Sequence, residues 1–214
     1  MHSAADSCLL DAQERMPAFI AGVIDRGIRH LAFTSSLARD TSASNGARSA
    51  GATLYKMRKP IERAFVREMQ MALLCAVDEF ATIEASLDIC LDDGLAARLD
   101  VEHLCDAADL ACRAERIEFE ALFCAASGSH VVQGMNPLRP EAHARSLAAA
   151  LDEWPVRHAV RSAWFTHLGA PLGQELEGLY RTLSRGMRKR GAREAQYVPP
   201  MVGGRSFVSW GAAG

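Results

Sequence analysis

"MRKPIERAFVREMQMALLCAVDEFATIEASL", Met57 to Leu87, is the stretch whose reading decides the fold. Ile61, Phe65, Met69, Ala72, Ala76, Phe80, Ile83 and Leu87 recur at spacings of three and four, so they line one side of a long α-helix. Pro60 suits its first turn, where a missing N–H leaves nothing unpaired. An apolar stripe of this length must be covered by other elements of the same kind.

The neighbouring segments supply them. "LDDGL", Leu91 to Leu95, punctuates the chain, and a second long helix is predicted from about Val101 to Ala126. Its apolar face is Leu104, Ala108, Ala111, Ala114 or Glu115, Phe119, Leu122 and Phe123. Three shorter helices follow at about 140–152, 155–168 and 172–190. Upstream, residues 6–33 read as one or two helices. Asp6 stands as the N-cap, Pro17 breaks or restarts the helix, and Phe19, Ile20, Val23, Ile24, Ile28 and Leu31 form the stripe. Residues 34–53, rich in Ser, Ala, Gly and Thr, read as a flexible linker, because they offer too little apolar surface to offset ordering entropy. No segment outside the tail alternates as a strand would. The expected fold is therefore all-α, a helical bundle of about five to seven helices. It comprises an N-terminal helical segment (1–33), a flexible linker (34–53), a helical domain (54–192) and an irregular tail (193–214).

Composition narrows the function classes. The chain has 214 residues, 49% of them hydrophobic, and a net charge of −2. Nothing draws it as a whole to nucleic acid or to an anionic membrane surface. No run approaches the ~20 apolar residues of a membrane span. Six cysteines, at 8, 75, 90, 105, 112 and 124, sit inside helical patterns with no CxxC spacing, as reduced thiols do. The start lacks the basic region and apolar core of a signal peptide. The expected location is the cytoplasm. Only three of the 24 Lys and Arg residues are lysine, a bias that suggests a GC-rich bacterial genome.

Four stretches invite a reading as sites. "GMNPLRPEAHARSLAAAL", Gly134 to Leu151, holds two prolines ahead of an alanine-rich run. Asn136 favours a turn before Pro137, Pro140 is pre-organised for the first helical position, and Glu141 complements the positive helix start. Each residue has a structural task, and His143 and Arg145 read as helix surface. His103, Cys105, Asp106 and Asp109 resemble a metal cluster in composition, but the pairs that share a face diverge by about half a turn, and structural zinc needs four converging ligands. His158 and His167 have no ligand spacing. Ser129 beside His130 lacks a nucleophile elbow. No catalytic residue, metal or cofactor is expected.

The strongest charge feature is "YRTLSRGMRKRGAR", Tyr180 to Arg193, with six basic residues. It reads first as a cationic helix end stopped by Gly191 as the C′ residue. Its alternative is an anion, nucleotide or nucleic-acid patch formed by Arg181, Arg185, Arg188 and Arg190. "RTLSR" matches half of the cyclic-di-GMP-binding PilZ signature, but the second half is absent and PilZ is excluded.

"SLDICLDDGLAARLDVEHLCDAADLACRAERIEFEALFCAASG", then "NPLRPEAHARSLAAAL" and "LYRTLSRGMRKRGA", resemble bacterial domain of unknown function family 1631 over about 82–193. The chain departs from that family in its short length and in the reduced acidity of "SLDICLDD". The resemblance implies a helical bacterial cytoplasmic protein of no agreed activity. The function expected is that of a non-enzymatic protein-interaction or regulatory module, with a protein partner or self-association. The anion- or nucleotide-responsive regulator is the alternative, and an enzyme comes third.

Overall fold

Ser3 opens the first helix, α1 (Ala4–Leu37), through a capping box. Its hydroxyl accepts from the Asp6 N–H, and the Asp6 carboxylate accepts from the Ser3 N–H, both at 3.0 Å. Asp6 is thus the third residue of the helix, and Ser3, three positions earlier, is the cap. The computed structural model describes residues 3–38, 41–79, 93–127 and 136–193. Five further helices follow in it: α2 (Thr41–Lys56), α3 (Arg58–Glu79), α4 (Asp93–Ser127), α5 (Pro140–Asp152) and α6 (His158–Lys189). No strand occurs among the described residues, so the protein is an all-α bundle. The expectations for Phe80, Ile83 and Leu87, for Leu91 and Asp92 of the "LDDGL" stretch, for Ser129 and His130, and for residues 194–214 of the tail fall outside the described residues.

Two prolines do not break their helices. Pro17 lies within α1, with Met16, Phe19 and Ile20 buried around it and the ring itself exposed. The carbonyl one turn earlier loses its donor on the side open to water, where solvent can replace it. Pro171 lies within α6, so the two helices expected at 155–168 and 172–190 are one. Here the reason is packing. Gly169 and Gly173 bracket the proline and lie directly against α4. A Cβ on Gly173 would stand 2.5 Å from the Ala108 carbonyl oxygen, and one on Gly169 would stand 2.6 Å from the Ala107 Cβ. That close approach of two backbones holds α6 continuous through a residue that costs about 3 kcal/mol in a helix interior.

The stretch read as a linker, 34–53, is helical over 34–37 and 41–53. Its small residues form a narrow seam. Ala47, Ala50 and Leu54 are buried, Gly51 lies against Leu31, and the Ala50 carbonyl accepts from the Trp164 indole N–H at 3.0 Å. The composition that argued for a linker is what a tightly apposed helix uses.

The helices arrange around α6. Arg190 meets Asp11, Glu175 lies by Gly22, and His167 faces His30, so α1 runs antiparallel to α6. Gly169 by Leu104, Gly173 by Ala108 and Arg181 by Glu115 set α4 parallel to α6. The α3 helix crosses back along α1, with Arg58 at Asp25 and Phe65 stacked on Phe19 at 5.9 Å. One apolar core runs from Ala5 to Met187 and takes residues from every helix. The described residues of the N-terminal segment share this core with those of the helical domain.

Candidate functional site

The arginine-rich end of α6 terminates as a Schellman motif. Gly191 adopts φ +89°, its N–H donates to the Arg188 carbonyl, and the Ala192 N–H donates to the Met187 carbonyl. Only glycine enters that backbone region without a steric penalty. The four candidate anion ligands diverge from this point. Arg181 binds Glu115 at 2.8 Å on α4 and also Glu177 on its own helix. Arg188 binds Glu118 at 2.5 Å, again on α4, and Arg190 binds Asp11 at 2.8 Å on α1. The Arg181 hydrogen bond holds the Glu115 carboxyl below its ordinary range. All four are exposed, and Arg185 is the one with no ion pair to a described carboxylate. Three of the four arginines thus tie α6 to its neighbours, and a phosphate would compete with carboxylates already in place.

The proline turn is built as a support. The Asn136 side-chain oxygen accepts from the Leu138 N–H at 2.9 Å, an Asx turn. The Tyr180 hydroxyl, buried in α6, donates to the Leu138 carbonyl at 2.7 Å. Burial raises the pKa of Tyr180, which keeps that phenol a donor. Pro140 then takes the first position of α5. These contacts fix the entry angle of α5 onto α6.

His143, expected on the surface, is wholly buried between Phe19 and Phe65, with ring centroids 5.2 and 6.3 Å away. Its Nδ1 lies 3.1 Å from the Arg139 carbonyl oxygen, so Nδ1–H donates there, and Nε2 has no partner among the described atoms. Burial pushes its pKa down to about 4. It is a neutral member of the core. A groove of about 210 Å³ between α1 and α6 is lined by Arg15, Phe19, Glu175, Gly178, Leu179 and Thr182. Glu175 is already engaged by Arg26.

The candidate metal residues do not converge. His103 and Asp106 are exposed on α4, Cys105 turns partly inward, and Asp109 binds Arg116 at 2.6 Å. Among the described residues no group of three or more potential ligands could hold a metal ion. His158 is exposed at the start of α6, while His167 lies against His30 with ring centroids 5.4 Å apart. Burial, and then the neighbouring His30, lower the His167 pKa. Cys8, Cys105 and Cys112 are free thiols. Burial raises Cys8 and Cys112 to about 12 and Cys105 to about 11, so none of these three is a nucleophilic thiolate at neutral pH. No helix of the described chain is long and apolar enough to cross a membrane.

One feature was not singled out from the sequence. On the outer side of α4, Leu99, Leu110 and Ile117 are 51%, 70% and 58% exposed. A helical wheel shows them: at roughly 100° per residue they fall within about 20° of one another, opposite buried Ala108. The inward stripe is continuous in the sequence, whereas this outer one is interrupted by His103, Asp106 and Arg113.

No family model, no curated protein and no solved structure matches this chain. The resemblance to domain of unknown function family 1631 rests on the sequence motifs alone.

Proposed function

We propose that this protein is a non-enzymatic helical module of a bacterial cytoplasm that acts by contact with another polypeptide, through the outer face of α4. The observation that carries the reading is the exposure of Leu99, Leu110 and Ile117 along one line of a helix otherwise well packed. Scattered exposed leucines are ordinary, but a line of them spanning five turns presents a docking ridge for an amphipathic partner. The alternative, an anion- or nucleotide-responsive regulator built on Arg181, Arg185, Arg188 and Arg190, has weaker support, because three of those side chains are held by carboxylates.

A photo-crosslinking amino acid at position 110, installed in the cells that express the protein, tests this. Adducts to a polypeptide identified by mass spectrometry are expected at position 110 and not at exposed Arg63 on α3. No adduct at 110, or equal adducts at both positions, would refute the reading.

A further inference from the structure

We infer that the outer face of α4 pairs with the same face of a second copy, antiparallel, about a two-fold axis beside Leu110. The inference rests on α4 being a docking face and commits that face to one occupant. Three observations carry it: the position of Leu110, the order of charges along the stripe, and the weak internal engagement of Arg113.

Leu110 is the most exposed large apolar residue of the described chain at 70%, and it is the central residue of α4 (Asp93–Ser127). A two-fold axis at this point overlaps the two helices along their whole length, ~52 Å at 1.5 Å per residue. Any other register leaves one end of each helix without a counterpart.

The charges select the direction. Glu102 and Asp106 are exposed in the N-terminal half of the stripe, and Arg113 is exposed in the C-terminal half. Asp106 and Arg113 lie on the same flank of the apolar line and at equal distance from a point between residues 109 and 110. In an antiparallel pair, equal flanks meet. Asp106 then faces Arg113 of the second copy, and symmetry makes the contact twice. Leu110 meets Leu110 between these two ion pairs. Leu99 lands on the turn from Ile117 to Ala121 of the other helix. In a parallel pair unlike flanks meet and levels are kept, so Asp106 and Arg113 would lie on opposite sides of the seam at different levels and neither ion pair would form.

Arg113 is available for this contact. Its one carboxylate partner among the described residues, Asp109, stands 3.8 Å away, and the Arg113 side chain is 61% exposed. Asp109 is held more closely by Arg116, at 2.6 Å. Little is therefore lost when Arg113 turns to a second copy.

Sedimentation equilibrium of the full chain tests the pairing, over about two decades of concentration around the micromolar range. The expected mass rises from one copy to two. Leu110→Glu should weaken the association tenfold or more, and so should Asp106→Arg or Arg113→Asp alone, since each places like charges together. The double change Asp106→Arg with Arg113→Asp should restore association towards the wild-type level. All three sites are exposed, so unchanged far-UV dichroism is expected throughout. A wild type that stays one copy at every concentration overturns the inference. A dimer indifferent to Leu110→Glu overturns it too, and so does a double change that fails to rescue. If the wild type stays one copy while position 110 crosslinks a different protein, this inference fails and the docking-face reading stands. If position 110 crosslinks nothing, both fail.

Discussion

His143 shows how one residue couples the core to pH. The ring is enclosed by Phe19 and Phe65 and donates from Nδ1 to the Arg139 carbonyl. Its folded pKa is about 4, against 6.5 for an unburied histidine. Between those values the unfolded chain binds a proton that the native chain does not. Stability from this residue is therefore complete above pH 6.5 and falls as pH drops towards 4, by about 3 kcal/mol in all. Urea unfolding of wild type and His143→Leu at neutral pH and near pH 4.5 should show the wild type losing the larger share. Equal losses would mean that the native histidine is already protonated or hydrated. The sequence places His143 in the first turns of a helix, and that much is legible. Which side of that helix is buried depends on rings from α1 and α3, which local sequence does not show.

At the scale of elements, glycine is decided by what lies across from it. Gly173 and Gly178 occupy the same helix and look alike in sequence. A Cβ at Gly173 would collide with the Ala108 backbone at 2.5 Å, whereas one at Gly178 meets nothing within 4 Å. Gly173→Ala should destabilise by about 1–3 kcal/mol, the usual cost of overpacking. Gly178→Ala should stabilise by about 0.5–1 kcal/mol, because alanine loses less backbone entropy in a helix. Chemical denaturation of the two variants measures both, and effects of the same sign would refute the close crossing of α4 and α6. The α2 helix supplies a second test. Leu54 is fully buried, so Leu54→Ala should cost about 2–5 kcal/mol, whereas the same change in a solvated linker would cost almost nothing.

At the scale of the whole molecule, the arginines act mainly as ties between helices. Arg58 joins α3 to α1, Arg67 joins α3 to the Glu153 carboxylate that ends α5, and Arg181, Arg188 and Arg190 join α6 to α4 and α1. Pairs this exposed contribute modestly and are screened by salt. Changing Arg181, Arg185 and Arg188 together to Ala should lower the thermal midpoint, more at low salt than at high. Nucleotide titrations at ~50 mM and ~200 mM salt should not distinguish that variant from wild type. Steep, salt-sensitive binding lost in the variant would instead establish the anion-responsive reading.

Period and punctuation in the sequence determined the helical class, the inward faces of α3 and α4, the start of α5 at Pro140 and the end of α6 at Gly191. These follow from local chemistry: spacing along a helix, a proline with no N–H to lose, a glycine that tolerates φ +89°. Tertiary structure alone decided that α1 and α6 run unbroken through Pro17 and Pro171, that residues 41–53 form a helix, and that His143 is core. It also decided that Arg181, Arg188 and Arg190 face carboxylates of other helices while Leu99, Leu110 and Ile117 face none of them. Each of these outcomes depends on atoms distant in sequence. Burial against a neighbouring helix outweighs local propensity by more than the cost of a proline or of a small-residue seam, and that neighbour is specified only when the whole chain has folded.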